Sequence, residues 1–143
     1  MTGAVIALLI REPLLAVPLS FSSHFLCDSI PHAGLPPGGK LFSRSFNITL
    51  VCDFLFAIAL MIVMGLLFPT QKWLIWTCMV AAASPDLMWA YYDLYVVKIK
   101  HRKPRLGRLA RFHSWIQWSQ TPKGWFVEIS WFFVMGLVIA SLR

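Results

Sequence analysis

Residues 48–68 form an apolar run closed by Pro69, and the one charged side chain within it is Asp53. About 20 consecutive apolar residues are enough to cross the hydrocarbon core of a bilayer as a helix. Inside that core every backbone N–H and C=O must be satisfied within a helix or a closed barrel, and an uninterrupted run of this length favours the helix. The rest of the chain is of the same character. Of its 143 residues 58% are hydrophobic and 13% charged, with a mean hydropathy of +0.67, whereas a soluble domain carries about 25% charged residues. This composition argues against a water-soluble fold. It predicts one all-α domain over residues 1–143, a small polytopic bundle of three to four transmembrane helices plus an interfacial helix.

Three more segments complete the expected bundle. Residues 3–30 make one interrupted membrane element, broken at Arg11-Glu12-Pro13 and ended by the turn-forming stretch from Pro31 to Lys40. Residues 73–97 form a span with Trp73 at its start, Trp89, Tyr91, Tyr92 and Tyr95 toward its end, and Pro85 in its middle. Residues 125–142 form the last span, charged only at Glu128.

The net charge of +7 is unevenly spread, because eight of the 13 Lys and Arg lie in residues 98–123. Such a loop stays in the cytoplasm under the positive-inside rule. Membrane lipids, through their anionic headgroups, are its expected contact. Nucleic acid is not expected, since apolar helices flank the basic run on both sides. The aromatic stretch His113 to Trp118 reads as the helix lying on the membrane surface. Cys27, Cys52 and Cys78 have an odd count and no CxxC spacing, and read as core residues rather than a disulfide or zinc framework. Residues 1–12 lack a basic lead and do not read as a cleaved signal peptide. Nothing in the sequence fixes an oligomeric state.

With loop 98–123 inside the cell, loop 31–47 with Lys40 and Arg44 falls on the same side. The titratable groups then collect at the cytoplasmic ends of the spans: His24, Asp28 and His32 on the first element, Asp53 on the second, Asp93 on the third and Glu128 on the fourth. Five of the six acids, Asp28, Asp53, Asp86, Asp93 and Glu128, lie within or at the edge of apolar segments. A charge near the centre of a membrane helix costs at least about 2.5 kcal/mol, so such groups need partners and imply function.

His24, Asp28 and His32 are spaced four apart, so a continuous helix would place them on one face. Pro31 unwinds the chain before His32, which then reaches the site from a loop. An imidazole and a carboxylate one turn apart suit Zn²⁺ or a similar divalent ion, and equally a hydrogen-bonded polar cluster. Asp86 follows Pro85 in mid-span. Glu128 has no basic neighbour within a turn other than Lys123, and looks to a metal or proton partner on another helix. Asp53 is either an outer acceptor for an imidazole N–H or the partner of Arg11. Asp93 is an interfacial acid bonded to Tyr92 or paired with the basic loop. His101 is solvated, and Asn47-Ile48-Thr49 is a chance sequon match. No GxSxG element or Gly-rich phosphate loop is present.

The stretch Ser23-His24-Phe25-Leu26-Cys27-Asp28-Ser29-Ile30-Pro31-His32 resembles the Ser-His-x-x-x-Asp-x-x-Pro-His signature of small bacterial membrane proteins described as metal-dependent hydrolases. Ser84-Pro85-Asp86 resembles the Pro-Asp element of their later helix. Residues 111–131 join the likeness through His113 and Glu128. That family is distantly similar to zinc-dependent phospholipase C, whose metals are held by His and Asp on helices. The chain departs from the soluble enzymes in lacking their His-x3-Glu pair, and from many membrane relatives in lacking an N-terminal His.

The resemblance implies a divalent metal, zinc in particular, bound by His24, Asp28, His32, Asp86, His113 and Glu128. Asp53 or Glu128 would then be the catalytic proton acceptor, in a hydrolase of the bacterial cytoplasmic membrane acting on phosphoester or lipid-headgroup substrates. Two other classes fit the same residues. One is a small ion- or proton-coupled channel or transporter subunit; the other is a non-catalytic membrane structural protein.

Overall fold

A computed structural model describes residues 1–34, 43–103 and 105–143, and among them the protein is all-helical with no strand. Six α-helices follow one another: α1 (Thr2–Ile10), α2 (Pro13–Asp28), α3 (Arg44–Leu67), α4 (Lys72–Tyr91), α5 (Arg108–Ile116) and α6 (Trp125–Ser141). The centre of loop 31–47, including Lys40, lies outside the described residues.

The segment expected as one interrupted element folds as a hairpin of two helices. Arg11 adopts the left-handed conformation that ends α1, with its N–H on Ala7 O, and Pro13 starts α2 at its first turn, where no N–H is needed. The start of α1 returns to the end of α2, since Thr2 Oγ1 lies 3.8 Å from Cys27 Sγ. Arg11 spends its Nε–H on Leu8 O, and among the described residues it forms no pair with Asp53.

The nine-residue α1 is the buried centre of the bundle. Ala4, Val5, Ala7 and Leu8 form the core with Ala16 of α2, Met64 of α3, Ile75, Cys78 and Met79 of α4, and Ile139 of α6. Gly3 makes this possible, because a Cβ there would stand 2.5 Å from Cys78 O. Small residues permit such close backbone approach where helices pack in an apolar medium. Gly65 likewise makes room for the Trp76 indole, whose Nε1–H donates to Met61 O at 2.7 Å and ties α4 to α3.

The segment Phe46–Leu67, 22 residues with a mean hydropathy of 2.7, is the one helix among the described residues that is long and apolar enough to cross a membrane. Its N-cap is Ser43, whose Oγ accepts from Phe46 N. Beyond Tyr91 the chain continues from α4 as a π-helix, Tyr92–Ile99. A π-helix brings residues five apart together, and the buried Asp93 pairs with Lys98 at 2.7 Å.

Candidate metal centre

The site is assembled from α2, α4 and α5. On α2, His24 and Asp28 stand one turn apart, and Nε2 of the first is 3.3 Å from Oδ2 of the second. The His24 ring is held by α4, with Nδ1 2.8 Å from Ala82 O. A carbonyl can only accept, so Nδ1 carries the hydrogen and a neutral His24 turns the lone pair of Nε2 toward Asp28. This is the outer support that metal-binding imidazoles use.

Pro85 interrupts the hydrogen-bond ladder of α4. Proline has no N–H and leaves the carbonyl four residues back unmatched within the helix. That carbonyl, Ala81 O, accepts the Ser84 hydroxyl at 2.8 Å, and the next one, Ala82 O, takes His24. The Ser-Pro-Asp element supplies Asp86, and Ala82 O, three residues before Pro85, orients His24.

On α5, Ala110, His113 and Gln117 recur at helical spacing and face inward, while Leu109, Phe112 and Trp115 are exposed. The His113 side chain is fully buried. Its Nε2 lies 2.7 Å from Asp28 Oδ2 and 3.0 Å from His24 Nε2. Gln117 Nε2 is 3.3 Å from the same Asp28 oxygen. Phe25 packs against both Phe112 and His113 and closes one side. On the far edge of the ring, Trp89 Nε1–H donates to His113 Nδ1 at 3.2 Å. Neutral His113 must then carry its hydrogen on Nε2 and donate it to Asp28.

His24, Asp28 and His113 could hold a metal ion: one ligand atom from each converges within 4.8 Å of the others. A tetrahedral zinc ion with ligands at about 2.0–2.1 Å sets its ligand atoms about 3.3 Å apart. Of the observed separations, 3.3 Å equals that edge and 3.0 and 2.7 Å fall short of it. Asp86 Oδ1 follows at 3.6 Å from His24 Nε2 and 3.7 Å from His113 Nε2, and its half-exposed side chain forms the open side of the cluster. The donor set fits a divalent ion, with one demand. Binding through His113 Nε2 requires the ring hydrogen to move to Nδ1, which breaks the Trp89 hydrogen bond.

The other expected residues stand outside this cluster. His32 lies beyond the end of α2, outside any helix, with Nδ1 2.9 Å from Ile30 O and Nε2 buried without a hydrogen-bond partner among the described residues. Glu128 Oε1 accepts from Ala33 N at 2.8 Å. Asp53 makes no ion pair among the described residues; its charged neighbours are Asp86 and Glu128. Sequence reading missed Gln117, although it follows His113 by four residues on an amphipathic helix. It also missed Trp89, which has no sequence relation to His113. The chain matches no protein-family model, no curated protein and no solved structure.

Proposed function

We propose that the protein is a membrane-embedded, metal-dependent hydrolase whose ion is held by His24, Asp28 and His113, with Asp86 at the open side. The observation that carries this reading is the convergence of two imidazoles and a carboxylate from helices far apart in sequence, at the spacing of ligands around one zinc ion. Three protein ligands beside an open position is the arrangement of catalytic rather than structural zinc. Such an ion supplies Lewis acidity toward a phosphoryl or acyl oxygen.

The chain's own groups would do the rest. Asp28 accepts from His113 and stands one turn from His24. Gln117 fixes the Asp28 carboxylate and has a second donor hydrogen for a substrate oxygen. Asp53 is free of basic partners among the described residues and is the acceptor we assign for the proton of the attacking water.

The polytopic arrangement belongs to the same proposal. Large apolar side chains are exposed on several helices, among them Leu14 and Leu19 on α2, Phe54 and Leu66 on α3, and Phe133 and Leu137 on α6. An apolar skirt of this extent is what lipid covers. Around the site end, α5 and the following turn expose Phe112, Trp115 and Trp118 beside Arg108 and Arg111. Aromatic and basic side chains in that mixture suit the headgroup layer. This supports a site at the headgroup layer; phosphodiester headgroups as the substrate class and the cytoplasmic leaflet of a bacterial membrane as the place are carried into the proposal from the family resemblance and the basic loop.

The test is hydrolysis of mixed phospholipid vesicles by detergent-purified protein. The expected result is turnover that a chelator abolishes, zinc restores and His24→Ala lacks. Turnover indifferent to chelator, or metal content equal in wild type and His24→Ala, would contradict the reading. One observation favours a second reading. The Trp89 bond makes His113 a proton donor to Asp28, and a His–Asp–His chain of that kind also relays protons in a transporter subunit. Proton flux into liposomes without hydrolysis would select it.

A further inference from the structure

The α1–α2 hairpin and the α3–α4 hairpin meet at the end of the bundle away from the metal centre. Arg11, Pro13 and Val17 of the first and Thr70, Gln71 and Trp73 of the second line one open cleft of about 480 Å³. Pro13 starts α2 and Asp28 ends it, 16 residues in all. At the rise of an α-helix, about 20 Å therefore separates the cleft from the cluster.

The polar groups of the cleft are unspent. Arg11 donates Nε–H to Leu8 O at 3.2 Å, which holds the guanidinium at the turn, and among the described residues its two terminal NH₂ groups form no hydrogen bond and no ion pair. A guanidinium fork of this kind matches the paired oxygens of a phosphate. The Gln71 side chain does not cap α4, and its Oε1 is buried without a hydrogen-bond partner. An unmatched buried acceptor is unfavourable, and turning the amide onto a ligand hydroxyl relieves it. Lys72 adds a second cation, with Nζ 5.4 Å from the centre of the Trp73 ring. No acid lines the cleft among the described residues. Glu12, beside Arg11 in the chain, is exposed and forms no ion pair among them.

The remaining wall is apolar, and it opens beside the exposed Leu14 and Trp73 side chains. Thr70 and Gln71 follow closely on Phe46–Leu67, the helix long and apolar enough to cross a bilayer. On the membrane reading the cleft thus lies where that helix leaves the hydrocarbon, and Arg, Lys and Trp side chains suit that depth. Resting on that reading but not on the metal, we propose that the cleft binds the headgroup of an anionic phospholipid in the leaflet opposite the metal centre. The phosphodiester sits on Arg11 with Lys72 nearby, a headgroup hydroxyl meets the Gln71 amide, and the acyl chains run along Pro13, Val17 and Trp73. Inorganic phosphate offers the same anion without the hydroxyl or the chains.

Native mass spectrometry of the full-length protein, released from detergent with chelator present, reads the lipid retained on titration with phosphatidylglycerol. One lipid per chain is expected. Arg11→Gln should weaken it at least about tenfold, the worth of one charge-assisted hydrogen bond. Gln71→Leu should weaken it a few-fold, and Arg111→Gln, at the other end of the bundle, should leave it unchanged. Phosphatidylcholine should bind at least about tenfold more weakly, and equimolar inorganic phosphate should not displace the lipid. Circular dichroism of each variant checks that its helices are intact. Retention equal in wild type and Arg11→Gln, or lost equally in Arg111→Gln, overturns the site. Phosphatidylcholine held as tightly overturns the anionic headgroup, and displacement by equimolar phosphate overturns the lipid as occupant. Release of the protein from membranes by alkaline carbonate would remove the membrane reading and this site with it, whereas the other contrary results remove the site alone.

Discussion

The α2 and α5 sides of the site bring chemically identical rings to one carboxylate, yet they prepare them in opposite ways. His24 rests its Nδ1–H on Ala82 O and offers a lone pair. His113 has an indole N–H on its Nδ1 and offers a hydrogen. One ring is set to receive a cation, the other to give a proton to Asp28. The difference teaches that, on the metal reading we propose, the site would have two states: the hydrogen-bonded one, and an ion-bound one that costs the Trp89–His113 hydrogen bond. Asp28 belongs to both, as acceptor in the first and ligand in the second.

Removing that shared group should produce the largest effect. Asp28→Asn is expected to weaken zinc binding by at least about 100-fold, because even outer-shell losses cost 10–100-fold. A competition assay against a chromophoric chelator reads this directly, and wild-type affinity in Asp28→Asn would dissolve the comparison. Acid should act on both sides at once, since each imidazole must be neutral to bind. Zinc affinity is therefore expected to fall as the pH is lowered, because protons compete with the ion for the ring nitrogens. A flat profile from pH 8 to about 5 would show that the rings are not ligands.

Trp89→Phe sharpens the comparison, because it touches the α5 side alone. With no donor on Nδ1 the ring is free to move its hydrogen there, and zinc affinity should rise by up to about tenfold. The same chelator competition reads this rise. Affinity equal to that of wild type would mean that the indole does not hold the ring in that tautomer. The smallest expected change is Gln117→Ala, which frees the Asp28 oxygen of one neutral hydrogen bond worth about 1 kcal/mol and should shift affinity only a few-fold.

Much of this was legible in the sequence, and the remainder depends on contacts that no spacing encodes. The His24–Asp28 pair follows from their four-residue interval on a helix, and Pro31 accounts for His32 standing off α2. The run 48–68 announces α3. The role of α1 was hidden, because its residues are as apolar as those of α3 and composition alone cannot separate a helix buried by neighbours from one facing lipid. Gly3, which lets α1 approach Cys78 O, is the one local sign of the difference. Arg11 reads as an intramembrane charge seeking an acid, but its αL backbone at the hairpin turn directs its guanidinium to Leu8 O instead. Asp93 gave the reverse lesson. Its five-residue interval to Lys98 is out of phase on an α-helix and in phase on the π-helix that the chain adopts there.

X-ray absorption at the zinc edge of the protein loaded with one equivalent tests the central claim most directly. The account predicts two imidazole nitrogens and one or two carboxylate oxygens at about 2.0–2.1 Å, with one imidazole lost in His113→Ala and one in His24→Ala. A shell of oxygen alone, or one that neither substitution alters, would contradict it.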